Sequence, residues 1–164
     1  MLTIAPALLQ LAGDVLRRCG EQKQRLATAE SCTGGLIAGC LTAVAGSSSV
    51  FDRGFVTYSN AAKTAELGVP AELLAREGAV NEPVARAMAE GALAAAGVEL
   101  TVAVTGIAGP DGGSPGKPVG LVYFAAARTG AETLAERHVF AGDRQQVRAA
   151  TVEAALRLLL RRLD

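Results

Sequence analysis

One short segment constrains the fold most strongly, because it runs from a strand pattern through a polar, glycine-rich turn into an apolar helix. Residues 25–30 (RLATAE) have the pattern of a short strand, residues 31–35 (SCTGG) form the turn, and residues 36–45 (LIAGCLTAVA) have the pattern of a helix. Consecutive glycines allow close approach of the backbone, and a helix start offers free N–H groups. This unit is typical of an α/β domain that binds a ligand beyond a strand end.

Segments with helix and strand patterns alternate along the rest of the chain. This order predicts an α/β fold, a three-layer α/β/α single domain with a mixed β-sheet, over residues 1–164. The predicted elements are helices over 5–19, over 61–67 with Asn60 as cap, over 71–77 after Pro70, from Asn81 to Gly97 and from about Asp143 onward, strands over 50–59 and 98–106, and a hairpin of 119–127 with 133–141.

Composition excludes several classes of protein. Half of the 164 residues are hydrophobic, which excludes disorder, and 16 basic residues balance 16 acidic ones, which argues against nucleic acid as a partner. No apolar run reaches the roughly 18 residues of a membrane span, and the start lacks a signal-peptide pattern. Three cysteines without a CxxC pair fit a reducing compartment. We therefore expect a soluble, cytoplasmic protein with no membrane partner.

Metal chemistry has little support in the sequence. The chain has one histidine, His138, and its acidic residues are scattered rather than spaced as metal ligands. We therefore predict neither a metal nor a cofactor, and His138 is interpreted as an ordinary strand residue.

A second glycine-rich turn follows the predicted strand over 98–106. It runs from Thr105 to Gly113 and matches neither a Walker loop nor a dinucleotide-binding fingerprint. Since ligands collect beyond strand ends in open α/β sheets, we expect both turns to face one crevice. The alternatives are a Ser/Thr helix cap for the first turn and a mobile surface loop for the second.

A third candidate group surrounds Lys63. The chain uses three lysines against thirteen arginines, and only lysine can lose a proton to act as a base. Lys63 lies one helical turn beyond a predicted strand end, where its amine could reach the crevice. The alternative is a solvated lysine on a helix face.

Three blocks carry a resemblance to a known family. TAESCTGG (28–35), GFVTYSNAAKTAELGV (54–69) and AVTGIAGPDGGSPGKPVGLVYF (103–124) resemble the CinA C-terminal domain family, and the likeness extends over about residues 5–160. Free-standing members of that family are nicotinamide-nucleotide amidases. The resemblance implies hydrolysis of nicotinamide mononucleotide to nicotinate mononucleotide and ammonia, within pyridine nucleotide salvage for NAD metabolism.

The resemblance also implies roles for individual residues. Ser31 would be the nucleophile and Lys63 its general base, with Tyr58 and Thr105 in support. Apart from the resemblance, the position of Cys32 at a helix start makes it a second candidate nucleophile. The helix start at residues 33–35 and Arg144 with Arg148 are candidate anchors for the phosphate, and the alternative for the two arginines is a solvated helix face. The substrate-binding residues implied are Thr33, Gly34, Gly35, Ser48, Asn60, Gly106, Ile107, Ala108, Gly109 and Arg144.

A rival hypothesis belongs to another class of protein. The wider family is associated with competence and DNA damage, so a ligand- or partner-binding module without turnover is the alternative. A nucleophile and a base together favour the enzyme. We also expect a homo-oligomer, a dimer or a trimer, because the alanine-rich helices and the hairpin edge offer flat surfaces.

Overall fold

The computed structural model describes residues 3–164, which fold around one mixed β-sheet. Six helices and five strands make up the domain, together with a 3₁₀ turn at Ser47–Ser49. In chain order they are α1 (Pro6–Glu21), β1 (Leu26–Glu30), α2 (Leu36–Thr42), β2 (Phe51–Val56), α3 (Asn60–Leu67), α4 (Ala71–Glu77), α5 (Glu82–Ala96), β3 (Leu100–Gly106), β4 (Leu121–Arg128), β5 (Leu134–Val139) and α6 (Arg144–Leu163).

The sheet has the strand order β2-β1-β3-β4-β5. Strand β1 pairs in parallel with both β2 and β3, whereas β4 pairs antiparallel with β3 and β5. The predicted hairpin is therefore confirmed. The three parallel strands end at the same edge of the sheet, which is where an α/β fold gathers functional groups.

Two hydrophobic cores cover the two faces of the sheet. Helices α1, α2 and α6 pack on one face around residues such as Leu26, Val102 and Leu156. Helices α3, α4 and α5 pack on the other face, where small side chains such as Ala89 and Ala103 bring α5 close to the strands. The predicted three-layer α/β/α fold with a mixed sheet is confirmed.

The element boundaries differ from the prediction near the first glycine turn. Helix α2 ends at Thr42 rather than at residue 45, because Gly46 has φ 83° and starts the 3₁₀ turn. Strand β2 ends at Val56, and Ser59 rather than Asn60 caps α3, since the Ser59 hydroxyl accepts a hydrogen bond from Ala62 N at 3.0 Å. The early end of β2 leaves residues 57–59 free to turn toward α3.

Helix α6 begins as the sequence predicts. Asp143 and Gln146 form a reciprocal capping box, in which each side chain accepts a hydrogen bond from the other residue's backbone N–H. Its placement sets Arg144 and Arg148 one turn apart beside the parallel strand ends. None of the helices within residues 3–164 is both long and apolar enough to cross a membrane.

Candidate active site

Three hydroxyl-bearing residues lie side by side at the carboxyl edge of the parallel strands. The last residues that pair across β2, β1 and β3 are Val56, Glu30 and Val104. Backbone bonds continue this register by one residue, from Thr57 N to Glu30 O at 3.0 Å and from Ser31 N to Val104 O at 3.1 Å. The next row across the three strands is therefore Thr57, Ser31 and Thr105.

The Lys63 side chain joins this row from α3. Its Nζ donates to Ser31 Oγ at 3.0 Å and to the Thr57 carbonyl oxygen at 2.8 Å. Only 1% of the Lys63 surface is exposed, and Ser31 is also buried. A buried amine in contact with a serine hydroxyl is the geometry of an activated nucleophile and its base.

Burial changes the pKa of Lys63 and of Cys32, the two residues next to the Ser31 hydroxyl. Desolvation of the Lys63 ammonium lowers its pKa below the ordinary lysine value, which favours the neutral amine that a general base must be. The Cys32 thiol is buried as well, and desolvation raises its pKa to about 11. A thiol with that pKa carries little thiolate at neutral pH, and the Lys63 amine hydrogen-bonds to Ser31 Oγ, so Ser31 is the better candidate nucleophile.

Glu30 holds the turn that carries Ser31, a role that the sequence analysis missed. Its fully buried carboxylate accepts hydrogen bonds from the backbone N–H groups of Ile37 and Ala38 at 2.8 and 2.9 Å, and from the Thr33 hydroxyl at 2.6 Å. A carboxylate at this position accepts hydrogen bonds from the free N–H groups at the start of α2, and its negative charge interacts favourably with the positive end of the helix dipole. The available signal was an acidic residue directly between a buried strand and a helix start.

Several N–H groups at the start of α2 already have partners within the chain. Gly34 N donates to Ser31 O, Leu36 N donates to Thr33 O, and the next two N–H groups bind Glu30. Gly35, with φ 100°, adopts a left-handed conformation that a residue with a side chain rarely takes. Thr33, Gly34 and Gly35 do not line the pocket at the strand ends, so the structure gives them a part in shaping the turn.

Arg148 braces the same turn from α6. Its guanidinium donates to the carbonyl oxygens of Cys32 and Thr33 at 3.2 and 3.0 Å. With these contacts Arg148 supports the backbone directly after Ser31, the nucleophile candidate, and it does not line the pocket.

A pocket of about 260 Å³ opens above Ser31. This volume is near the lower end of the roughly 300–1,000 Å³ found for small-molecule sites, so it suits a small ligand. Both glycine-rich turns contribute to it, as the sequence predicts. The lining residues are Ser31, Cys32, Tyr58, Gly106, Ile107, Ala108, Gly109, Asp111, Gly112 and Arg144.

The loop after β3 is fastened to the sheet rather than free. Ile107 N donates to Leu121 O at 2.9 Å, and Gly120 N donates to Ile107 O at 2.7 Å. At Gly106 an added Cβ would lie 2.6 Å from a Val122 methyl group and 2.7 Å from Leu121 O, so only glycine fits there. The loop wall of the pocket is thus part of the β3–β4 scaffold.

Arg144 bridges the two sides of the pocket mouth. Its Nη1 donates to Gly109 O at 2.8 Å, and its Nη2 donates to Tyr58 Oη at 2.9 Å. Among the lining residues Arg144 is the one cation and Asp111 the one acid. The pocket therefore offers a guanidinium and the Ser31 side chain, and the Lys63 amine contacts Ser31 Oγ without itself lining the pocket.

Two further predicted site residues, Ser48 and Asn60, lie elsewhere, and Thr105 is close to the pocket without lining it. Ser48 is exposed in the 3₁₀ turn before β2, at the opposite end of the strand from Ser31, so the structure does not bring it to the pocket. Asn60 lines a separate groove between α3 and α4. Thr105 lies in the hydroxyl row, but its Oγ1 donates to the Ala79 carbonyl oxygen at 2.7 Å and it does not line the pocket.

The comparison with protein families identifies this architecture. The family model of the CinA C-terminal domain matches residues 8–163. The chain belongs to the CinA C-terminal domain family. The matched range includes the serine turn, Lys63, the loop after β3 and Arg144, so the whole candidate site falls within the CinA domain.

Relatives and solved structures agree with this assignment. A CinA-like protein of Anaeromyxobacter dehalogenans is 55% identical over 92% of this chain. A protein of Pseudomonas putida named nicotinamide-nucleotide amidohydrolase PncC is 54% identical, over 90% of this chain and 90% of its own length. The crystal structure of competence/damage inducible protein CihA from Agrobacterium tumefaciens is 46% identical, with a TM-score of 0.95 and 98% of each chain covered.

The CinA domain occurs in proteins of different length. This chain spans 36% of the length of the Anaeromyxobacter dehalogenans protein and 38% of that of a CinA-like protein from Akkermansia muciniphila, which is 51% identical. The Pseudomonas putida amidohydrolase, by contrast, is matched along nearly all of its length.

Proposed function

We propose that this chain is an amidohydrolase, a nicotinamide-nucleotide amidase, in which one domain over residues 1–164 holds the complete active site. It hydrolyses the carboxamide of nicotinamide mononucleotide to nicotinate mononucleotide and ammonia. The observation that carries the proposal is the 3.0 Å contact of the buried Lys63 amine with Oγ of Ser31, which lines the pocket. The similarity to the Pseudomonas putida amidohydrolase supports this choice of substrate.

Ser31 and Lys63 would perform the chemistry in two stages. Neutral Lys63 takes the Ser31 proton as Oγ attacks the amide carbon, and a C–O bond forms as the carbonyl becomes an oxyanion. The lysine then gives that proton to the leaving nitrogen, so the C–N bond breaks and ammonia departs. Water attacks the resulting ester, with Lys63 again as base, and releases the carboxylate product and Ser31.

Backbone N–H groups would stabilise the oxyanion. Those of Ser31 and Ile107 are engaged by Val104 O and Leu121 O. Within residues 3–164 the backbone N–H groups of Cys32 and Ala108 bond to no backbone carbonyl, and both residues line the pocket. We assign the oxyanion contacts to these two groups.

The rest of the pocket would bind the nucleotide. Arg144 would anchor the phosphate, because it lines the pocket and a guanidinium matches the geometry and charge of phosphate oxygens. Tyr58 and residues 106–109 enclose the pyridine ring and ribose, and Thr105 holds the wall by its bond to Ala79. No step in this scheme needs a metal or a cofactor.

The alternative of a binding module without turnover receives less support. A buried amine costs stability through lost hydration, and binding alone does not require it to contact a hydroxyl. Location in the cytoplasm, a role in pyridine nucleotide salvage and assembly as a dimer or trimer stay predictions from the sequence.

Ammonia release from nicotinamide mononucleotide by the purified protein tests the proposal. We expect turnover that persists in EDTA, with nicotinate mononucleotide formed in equal amount. If correctly folded protein releases no ammonia, the substrate assignment is contradicted. If activity is lost in EDTA and recovers when a divalent metal is added, the serine–lysine mechanism is contradicted.

A further inference from the structure

The hydroxyl of Thr57 is a buried polar group that the proposed mechanism does not use. Thr57 is completely buried, and within residues 3–164 its Oγ1 has no hydrogen-bond partner. Buried hydroxyls in native proteins are nearly always paired, since an unpaired one loses its hydration without compensation. An unpaired hydroxyl of this kind at a functional site calls for a functional explanation.

The position of Thr57 provides that explanation. Its carbonyl oxygen accepts a hydrogen bond from Lys63 Nζ at 2.8 Å, and Thr57 is next to Ser31 in the row of hydroxyl residues. The carbonyl oxygen and Oγ1 of one threonine are four bonds apart, and a change of χ1 rotamer is the movement that would turn Oγ1 toward the same amine. In the resting arrangement the hydroxyl is not bonded to that amine.

The protonated Lys63 amine has one more N–H donor than it has hydrogen-bond partners. A lysine ammonium has three N–H donors. Ser31 Oγ and the Thr57 carbonyl account for two partners, and no other partner of Nζ lies within residues 3–164. Cys32 is the titratable neighbour whose charge affects Lys63, but a thiol is only a weak acceptor.

We infer that Thr57 is a positioning residue whose hydroxyl accepts the remaining N–H of Lys63 once the lysine has taken the Ser31 proton. The inference rests on the proposed serine–lysine mechanism. The O–H bond of Ser31 breaks, the proton binds Nζ, and the new ammonium then has Ser31 Oγ, the Thr57 carbonyl and Thr57 Oγ1 as acceptors. The hydroxyl thereby stabilises the charged form of the base more than the neutral form, because a hydrogen bond from an ammonium is stronger than one from an amine.

Thr57→Val separates this role from a purely structural one. Valine keeps the shape and removes an unpaired buried hydroxyl, so the melting temperature should stay equal or rise. Loss of a hydrogen bond to a charged group in the transition state should lower kcat about 10- to 100-fold with little change in KM. Thr57→Ser keeps the hydroxyl and should restore kcat.

The experiment measures two rates for each variant. One is ammonia release from nicotinamide mononucleotide, and the other is modification of Ser31 by a fluorophosphonate, followed by intact mass. In the second reaction Oγ forms a bond to phosphorus, fluoride leaves, and the Ser31 proton passes to Lys63, whichever amide is the natural substrate. Thr151→Val is the matched control, because Thr151 is a completely buried threonine of α6 whose Oγ1 donates to Val147 O.

The outcomes distinguish this inference from the proposed function. Slower labelling and turnover in Thr57→Val, rescue by Thr57→Ser and normal rates in Thr151→Val would support the inference. Wild-type rates in Thr57→Val, or equal losses in the valine and serine variants, would overturn it while the proposed function stands. Labelling without ammonia release would overturn the substrate assignment alone. Failure of Ser31 to react, or normal labelling in Lys63→Arg, would overturn the mechanism and this inference together.

Discussion

Lys63 and Ser31 are 32 positions apart in the chain, and their side chains meet at 3.0 Å because two separate chain turns converge on one sheet edge. Ser31 is held by the turn that Glu30 and Arg148 brace, and Lys63 is supplied by a helix that begins immediately after β2. Neither residue can move far without breaking several bonds of its support. On the proposed mechanism, the pair would therefore be preorganised for proton transfer before a substrate arrives.

Replacement of the nucleophile should abolish turnover and leave the fold intact. We expect Ser31→Ala to lower kcat by about 1,000-fold or more, because the covalent step is lost, while nicotinamide mononucleotide still binds. Steady-state kinetics and calorimetric titration measure the two effects. Ser48→Ala is the matched control, since Ser48 is exposed far from the pocket.

Cys32 offers a direct check on that assignment. With its thiol pKa raised to about 11 by burial, Cys32→Ser should retain substantial activity. Full activity in Ser31→Ala together with an inactive Cys32→Ser would show that the cysteine is the nucleophile.

Charge alone should not replace the base. Lys63→Arg keeps a positive charge, but a guanidinium stays protonated and cannot accept the Ser31 proton, so kcat should fall nearly as far as in Lys63→Ala. The wild-type rate should also rise with pH through a pKa below the ordinary lysine value, because burial lowers the pKa of Lys63. Lys23→Arg, at an exposed site, is the control. Near-normal kcat in Lys63→Arg would rule out the serine–lysine pair.

Burial of Lys63 should also appear in the pH dependence of stability. Its folded-state pKa is lowered, so between that pKa and about 10.4 the unfolded chain binds more protons than the folded chain. In that window the free energy of unfolding should rise with pH, by up to about 1.4 kcal/mol per pH unit from this group. The measurement is the difference between the wild type and Lys63→Met in urea unfolding at several pH values, which cancels the contributions of other groups. A difference that does not change with pH would mean that the Lys63 pKa is unshifted.

The sequence predicts the layers, the hairpin and the convergence of the two glycine-rich turns, because these depend on local patterns that repeat along each element. The sequence does not predict which hydrogen-bond donors near the site already have partners within the chain. Glu30 uses the N–H groups of α2, and Arg148 binds the carbonyls of the serine turn, so two candidate phosphate anchors have structural partners instead. Such pairings join residues up to 116 positions apart in the chain and depend on the packing of α6 against the turn.

The register of the sheet is a second property that local patterns do not contain. Thr57 and Thr105 become neighbours of Ser31 only through the pairing of β2 and β3 with β1. Ser48, by contrast, precedes β2 and therefore lies at the other end of that strand from Ser31. The resemblance to a family supplied Ser31 and Lys63, and the structure adds the groups that hold them.

Arg144 is left as the cation of the pocket, and its role can be separated from that of the chemical residues. If it anchors the phosphate, Arg144→Ala should raise KM for nicotinamide mononucleotide about 10- to 100-fold, the effect of losing a hydrogen bond between charged groups. The change in kcat should be small, and nicotinamide riboside, which has no phosphate, should be processed equally by the wild type and the variant. Arg157→Ala, which removes an exposed arginine of α6 that pairs with Glu153, controls for the loss of charge.

Because Arg144 also bonds to Tyr58 and Gly109, a structural role predicts a different result. In that case both substrates would lose activity to the same extent, and Tyr58→Phe would reproduce part of the loss.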